Sequence, residues 1–370
     1  MDFLLSDEQV AVRDLAEQIF QGSVSPERVK TIEATEDRID RELWKTLADA
    51  NLLGLCLPED VGGSGLGMSE LCLILEQQGR VVAPVPLWAT VALGALAIAE
   101  WGSPEQRQAW LPGVVAGDTL LSAALAGPGT NDPHRPAVLA RPDGPGWRLD
   151  GVQLAVPAAH VTARVLVPAR NDTGVAVFLV DPRGAGASLE RAVTTNREVH
   201  PHLHLDGAPG DPLGSVDHGG RVLAWMVERA LLGLCALQVG VCEAAIRLAA
   251  EYTSQRVQFG KPLSTFQGVA LRAADGYIQT EAIRVTMQQA AWRLDAGREA
   301  ARDVLVAKWW ASDGGQHVVH NAQHLHGGLG ADVDYPVHRY FLWGKQIEDT
   351  LGGASAQLAR LGETLAGAAR

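Results

Sequence analysis

The sequence predicts an α+β fold in three parts: an N-terminal helical domain over residues 1–119, a central antiparallel β domain over 120–218, and a C-terminal four-helix bundle over 219–370. Two changes of texture predict it. Near Leu120 helical periodicity gives way to short alternating or β-branched runs separated by Gly, Pro, Asn and Asp. From Arg221 onward, apolar residues recur again at i, i+3 and i+4 with few breakers. Composition agrees, since 370 residues with 47% hydrophobic and 20% charged side chains suffice for two or three domains around a large core and exclude a disordered chain.

Taken in order, Ser6-Asp7-Glu8-Gln9 has the form of a capping box, and Val12, Leu15, Ala16 and Ile19 follow at helical spacing. A second helix is expected over Asp40–Ala50, with Leu43, Trp44 and Leu47 on one face. Leu57 to Gly65 carries a Pro and closely spaced glycines and reads as a loop. Helices are expected over Met68–Gly79 and Leu87–Trp101, and Ser103-Pro104-Glu105 starts another with Pro in its first turn. Strands are expected at Trp147–Leu149, Val152–Val156, Arg164–Pro168 and Val175–Val180. Val222–Gln255 and Phe266–Ala296 read as the long helices of a bundle.

The formal net charge is -12, and no run of Lys and Arg is long enough for a nucleic-acid partner. An anionic ligand must then be held by a few placed arginines or helix N-termini. Cys56, Cys72, Cys235 and Cys242 form no CxxC pair and read as small buried hydrophobes. The start of the chain, with Asp2 beside the initiator, lacks a basic segment followed by an apolar run. Residues 85–101 come nearest to a membrane span but are Ala-rich and flanked by Pro84 and Pro86. The expectation is a soluble, cytoplasmic protein with no membrane partner. His317, His320 and His324 recur at helical spacing, but with no acid expected on that face no metal site is assigned.

Three segments carry a specific resemblance. They are Arg256-Val-Gln-Phe259-Gly260 running on to Phe266-Gln267; His326-Gly327-Gly328-Leu329-Gly330 followed by Asp334-Tyr335-Pro336-Val337-His338-Arg339; and Leu57-Pro-Glu-Asp-Val-Gly-Gly-Ser-Gly-Leu-Gly67. Their form and order resemble the RxxFG…Q, HGGxGY…DYPxxR and PExxGGxG stretches of acyl-CoA dehydrogenases. With the α–β–α texture the resemblance spans essentially the whole chain. It implies FAD, an acyl-CoA thioester substrate, α,β-desaturation, and an electron acceptor such as an electron-transfer flavoprotein.

In that family two subunits hold each FAD: one supplies the surface around the flavin ring and the base, and its neighbour clamps the pyrophosphate and adenosine. The resemblance gives this chain a clamp. Arg256 pairs with pyrophosphate, Gln258, Phe259 and Gln267 line the adjoining surface, Gly327 and Gly328 let backbone N–H groups approach, and His324 stands where the family usually has Gln. The ring half differs. Ala124 to Asp132 replaces a TEPxAGSD-like loop, and Ala155-Val156-Pro157-Ala158 replaces a W-I-T-N-like strand whose Trp and Thr contact the flavin.

The base differs too. Counting from Arg339 places Leu351, or with a one-residue slip Gly352, where the family has glutamate; Glu348 and Asp349 read as a solvated pair. The alternative base position falls on Ala230, leaving Glu228, two residues away, as a weak candidate. This pattern resembles the base-lacking subunit of heteromeric (α2β2) actinobacterial steroid-CoA dehydrogenases, which implies a second dehydrogenase-like chain as partner. Two other readings stand beside it: a self-sufficient homotetramer with an atypically placed base, and a non-catalytic, FAD-free structural member.

Overall fold

The computed structural model describes residues 3–130 and 132–368; Asp2 and Asn131 lie outside the described residues. The chain forms two compact units, Met1–Val29 with Cys72–Ala83 and Leu231–Arg370, and Lys30–Leu71 with Pro84–Ala230. They cut across the order of the sequence, each taking part of the N-terminal helical region.

The first unit contains α1 (Asp7–Ser23), most of α4 (Met68–Val81), most of α7 (Gly219–Gln255), α8 (Gln267–Asp295), α9 (Ala301–His326), α10 (Val337–Asp349) and α11 (Ala354–Ala368). Ser6 caps α1 in a full capping box with Gln9, as its sequence predicts. Helices α4 and α7 cross almost backbone to backbone: a Cβ on Gly79 would lie 2.1 Å from the Leu237 carbonyl oxygen, and one on Gly240 2.0 Å from that of Glu76. So close an approach brings charged side chains of both helices into the interior, where they must be paired. Arg284 bonds Glu76 and Glu243, and Arg80 bonds Glu243 at 2.8 Å and Glu17 at 3.1 Å.

Helix α7 corrects one expectation. The stretch Val216–Gln255 is long and apolar enough to cross a membrane, with an 18-residue window of mean hydropathy 1.7, but 78% of that window is buried inside the protein, as in a core helix. Residues 85–101 are therefore not the most span-like stretch.

The second unit holds the second half of α2 (Pro26–Glu33), α3 (Arg41–Asp49), the start of α4, a π-helix (Trp88–Ala95) running into α5 (Leu96–Trp101), α6 (Pro104–Val115), and the sheet. The expected helix over 87–101 thus begins as π-helix, buried along its full length. The strands are β1 (Leu121–Ala123), β2 (Val138–Asp143), β3 (Gly146–Gln153), β4 (Arg164–Asn171), β5 (Gly174–Val180), β6 (Ala187–Glu190) and β7 (His202–Pro212). Their order is β1-β4-β2-β3-β7-β5, and β5 also pairs with β4, so five strands close into a barrel. Val138, Leu149, Val165, Val167, Phe178 and Leu203 fill it.

The domain is not purely antiparallel, because β1 and β2 both run parallel to β4. The strand expected over 152–156 stops at Gln153, since Ala155 and Ala158 take positive φ values of 45° and 52°. Strand β7, with its two prolines and two glycines, carries no clean alternation and has no counterpart in the sequence reading.

Candidate functional site

The residues to which the resemblance assigns the clamp all lie in the first unit. Helix α7 ends at Gln255, and Arg256 follows it, its N–H donating to the Tyr252 carbonyl at 2.8 Å. A two-residue hairpin, β8 (Val257–Gln258) against β9 (Lys261–Pro262), then turns through Phe259 at φ 55° and Gly260 at φ 79°. That turn thrusts the Phe259 ring into solvent, 90% exposed. Gln267 opens α8.

At the far end of α9, His324 lies in the last turn and Gly327 follows with φ 62° and ψ -138°, which excludes most side chains. A Cβ on Gly327 or Gly328 would meet nothing within 4 Å, so the space beside both backbones is open. Among the described residues, the side chains of Arg256, Gln258, Gln267 and His324 make no hydrogen bond or ion pair within the chain, and all four are exposed.

Packing joins these pieces. Ala245 and Ala249 of α7, Ala322 and Leu325 of α9 and Val337 of α10 share one core cluster, with Val269 of α8 packed against it. Arg272 of α8 donates to Asn321 of α9 at 3.1 Å. The Tyr252 ring stacks on His326, centroids 4.7 Å apart, and His326 faces Tyr335 at 5.2 Å. The three-residue stack was not singled out from sequence; its signals are a Tyr one turn before Arg256 and a His immediately before Gly327.

The second corner of interest is the turn between α10 and α11. Leu351 takes φ 59° and Gly352 φ 98°. Lys308, fully buried, donates from Nζ to the carbonyls of Ile347 at 3.1 Å, Glu348 at 3.0 Å and Gly352 at 3.4 Å, and to Ser312 Oγ at 2.7 Å. Gln357 Nε2 donates to Leu351 and Gly352 carbonyls at 3.1 and 2.7 Å, and Arg360 Nη1 to Leu351 at 3.0 Å. Burial pushes Lys308 down to about 8, with Cys235, Asp349 and Glu348 opposing. Glu348 is not solvated as expected: its carboxylate pairs with Lys345, and only 15% of its side chain is exposed. Asp349 is exposed.

In the second unit, Ala230 is buried and its carbonyl accepts from Trp88 Nε1 at 3.0 Å. Glu228 belongs to this second unit; burial raises its carboxyl, with Arg229 opposing from 3.8 Å. The 155–158 segment has turned its donors inward. Ala155 N–H donates to His202 Nδ1 at 3.0 Å, Val156 N–H to the Pro201 carbonyl at 2.8 Å, and the Pro157 carbonyl accepts from Ser122 Oγ at 2.6 Å. Pro157 has no N–H at all.

Two further expectations change. Asp313 does share a helix face with His317, its carboxylate 3.7 Å from Nδ1, but among the described residues no three His, Cys, Asp or Glu side chains converge as metal ligands. Cys72, Cys235 and Cys242 are buried, whereas Cys56 is only partly so.

Against this geometry the comparisons decide the family. The model of the acyl-CoA dehydrogenase N-terminal domain matches residues 6–118, and that of the acyl-CoA dehydrogenase C-terminal domain matches residues 217–364. The chain belongs to the acyl-CoA dehydrogenase family. It is 40% identical over 374 residues to acyl-CoA dehydrogenase FadE27 of Mycobacterium tuberculosis (strain ATCC 25618 / H37Rv), covering 99% of both chains. A solved variant of the Tcur3481-Tcur3483 steroid ACAD matches with TM-score 0.94 and 49% identity, over 98% of this chain and 99% of that one. The ChsE4-ChsE5 complex from Mycobacterium tuberculosis matches with TM-score 0.93 and 40% identity, over 99% of each.

Acyl-CoA dehydrogenases are FAD-binding flavoproteins and oxidoreductases. The clamp corner fits the phosphate end of such a cofactor, with open glycine backbones, an unengaged guanidinium and an exposed ring. The 155–158 segment offers the flavin ring no hydroxyl and no N–H from Ala155 to Pro157.

Proposed function

We propose that this chain is the base-lacking subunit of a heteromeric, α2β2 acyl-CoA dehydrogenase of the cytoplasm, desaturating a steroid side-chain CoA thioester. It contributes the pyrophosphate and adenosine clamp, and a second dehydrogenase-like chain contributes the base. The observation that carries this reading is the asymmetry between the open clamp corner and the positions where the family keeps its base. Those positions hold Leu351, Gly352 and Ala230, none of them a carboxylate. The heteromeric neighbours support the assembly, and the word steroid in one neighbour's name supports the substrate class.

In this reading the Arg256 guanidinium forks onto pyrophosphate oxygens, a bidentate pairing that orients as well as attracts. The open backbones at Gly327 and Gly328 would let N–H groups approach the cofactor, and Gln258, Phe259, Gln267 and His324 would line the adjoining surface. When bound, the cofactor supplies the hydride acceptor of the desaturation, and an electron-transfer flavoprotein is a fitting acceptor of its electrons. A partner carboxylate takes the α-proton. Val257, Phe259, Leu271, Tyr277 and Ile278, apolar yet 53–90% exposed, are surface that a partner chain would cover.

Arg256→Ala in the purified assembly tests the clamp. Loss of a charged phosphate contact is worth about 1.5–3 kcal/mol, so flavin affinity should fall by roughly ten- to a hundredfold. Unchanged flavin content after dialysis would remove the clamp from this chain. A homotetramer using Glu228 is the second reading, favoured by the raised carboxyl of that residue; Glu228→Gln would then abolish turnover.

A further inference from the structure

We propose that His326 is a positioning residue that sets the spacing between the Arg256 half and the Gly327–Gly328 half of the flavin clamp, by holding both backbones to one ring stack; the inference rests on the clamp reading above.

His326 is the last residue of α9 and only 2% exposed. Its Nδ1 donates to the Ala322 carbonyl at 2.7 Å, which fixes the tautomer and the ring's rotation about the end of the helix. One face of the ring lies on Tyr252 with an interplanar angle of 23°, and Tyr335 closes against it tilted by 54°. The Tyr252 carbonyl is in turn the acceptor of the Arg256 N–H. On the other side His326 is peptide-bonded to Gly327. A single ring contact therefore separates the peptide anchoring the guanidinium from the first open glycine.

The chemistry of the residue argues that this is more than filler. Beyond the Nδ1 bond, the His326 ring has a polar contact with the Leu248 backbone of α7, which a phenylalanine would not make. Histidine also supplies the Nδ1 bond, which phenylalanine does not. That bond ties the ring to α9 while the ring's face is tied to α7. The two halves of the clamp come from different helices, so their separation depends on such a tie. Phosphate recognition by a forked guanidinium and backbone N–H groups is sensitive to displacements well below an ångström.

The test uses the full-length chain in the assembly it forms, with FAD and, as a probe of the clamp alone, ADP. His326→Phe keeps an aromatic ring and removes the tether; FAD and ADP affinities should both fall about tenfold and by the same factor. Tyr335→Leu, which removes the second ring packed on His326, should do the same and serves if His326→Phe does not fold. A drop in melting temperature of flavin-free protein with unchanged ADP affinity in the folded fraction would overturn the proposal. So would retained affinity for both ligands in His326→Phe while Arg256→Ala empties the flavin. If Arg256→Ala itself keeps its flavin, the clamp reading fails, and the positioning role fails with it.

Discussion

The corner joining α7 to α8 and the corner joining α10 to α11 are both short connections in one bundle, built in opposite ways. At the first, Arg256, Gln258 and Gln267, like His324 at the end of α9, have no side-chain partner among the described residues, and Phe259 stands in solvent. At the second, Lys308, Ser312, Gln357 and Arg360 all turn onto carbonyls of the turn itself or onto each other. A corner that awaits a ligand leaves donors unengaged, whereas a corner with no ligand must satisfy its own backbone. In the function proposed above, the first corner is the flavin clamp, and the second, presenting Leu351, is the position from which the base is missing.

Lys308 gives the largest expected effect. Its folded pKa of about 8 lies below the 10.5 of an exposed lysine, so between those values the unfolded chain binds the extra proton. Stability attributable to Lys308 should be flat below pH 8 and rise by about 3 kcal/mol toward pH 10.5. Because Cys235 and Cys242, pushed up to about 12 by burial, titrate with the opposite sign, the quantity to measure is the difference between wild type and Lys308→Met in denaturant melts across that range. A pH-independent difference would mean that the amine is not closed inside the turn.

Arg256→Lys comes next. It keeps the charge but loses the fork, and should weaken FAD by about tenfold in equilibrium dialysis. If lysine binds as tightly as arginine, the open corner recognises charge alone. Phe259→Ala should cost less, about 1 kcal/mol of FAD affinity, as loss of one exposed aromatic contact. Smallest of all, Glu228→Gln should leave steady-state turnover of the assembly within about twofold of wild type. A large loss there would place a base on this chain and end the contrast between the corners.

Much of the fold was legible because it rests on local rules. The Ser6 and Ser103 caps, the α3 face of Leu43, Trp44 and Leu47, and the long α7 and α8 all follow from periodicity and capping. Strand β7 was not, because its Pro and Gly residues are tolerated only through pairing with β3, β5 and β6, which are distant in sequence. The parallel pairing of β1 and β2 with β4 has the same origin.

At the site, the residues proposed for the clamp could be reached from motif spacing, since each sits at a helix end or in a turn whose backbone chemistry is local. The His326 stack and the Lys308 turn could not. Lys308 lies in an otherwise apolar helical stretch, and its partners are carbonyls about 40 residues further on, which no side-chain pattern reveals. The same holds in part for Glu348: its pairing with Lys345 is a local i,i+3 contact, but its carbonyl is met by Lys308 and Ser312 of α9, which are distant in sequence.

The central claim is that a complete site exists only where this chain meets a different one. Native mass spectrometry of the tagged chain from its own host, with bound FAD counted, tests it most directly. The account predicts a tetramer containing a second, different chain and about two FAD per four chains, one for each unlike interface. A homotetramer with one FAD on every chain would contradict it.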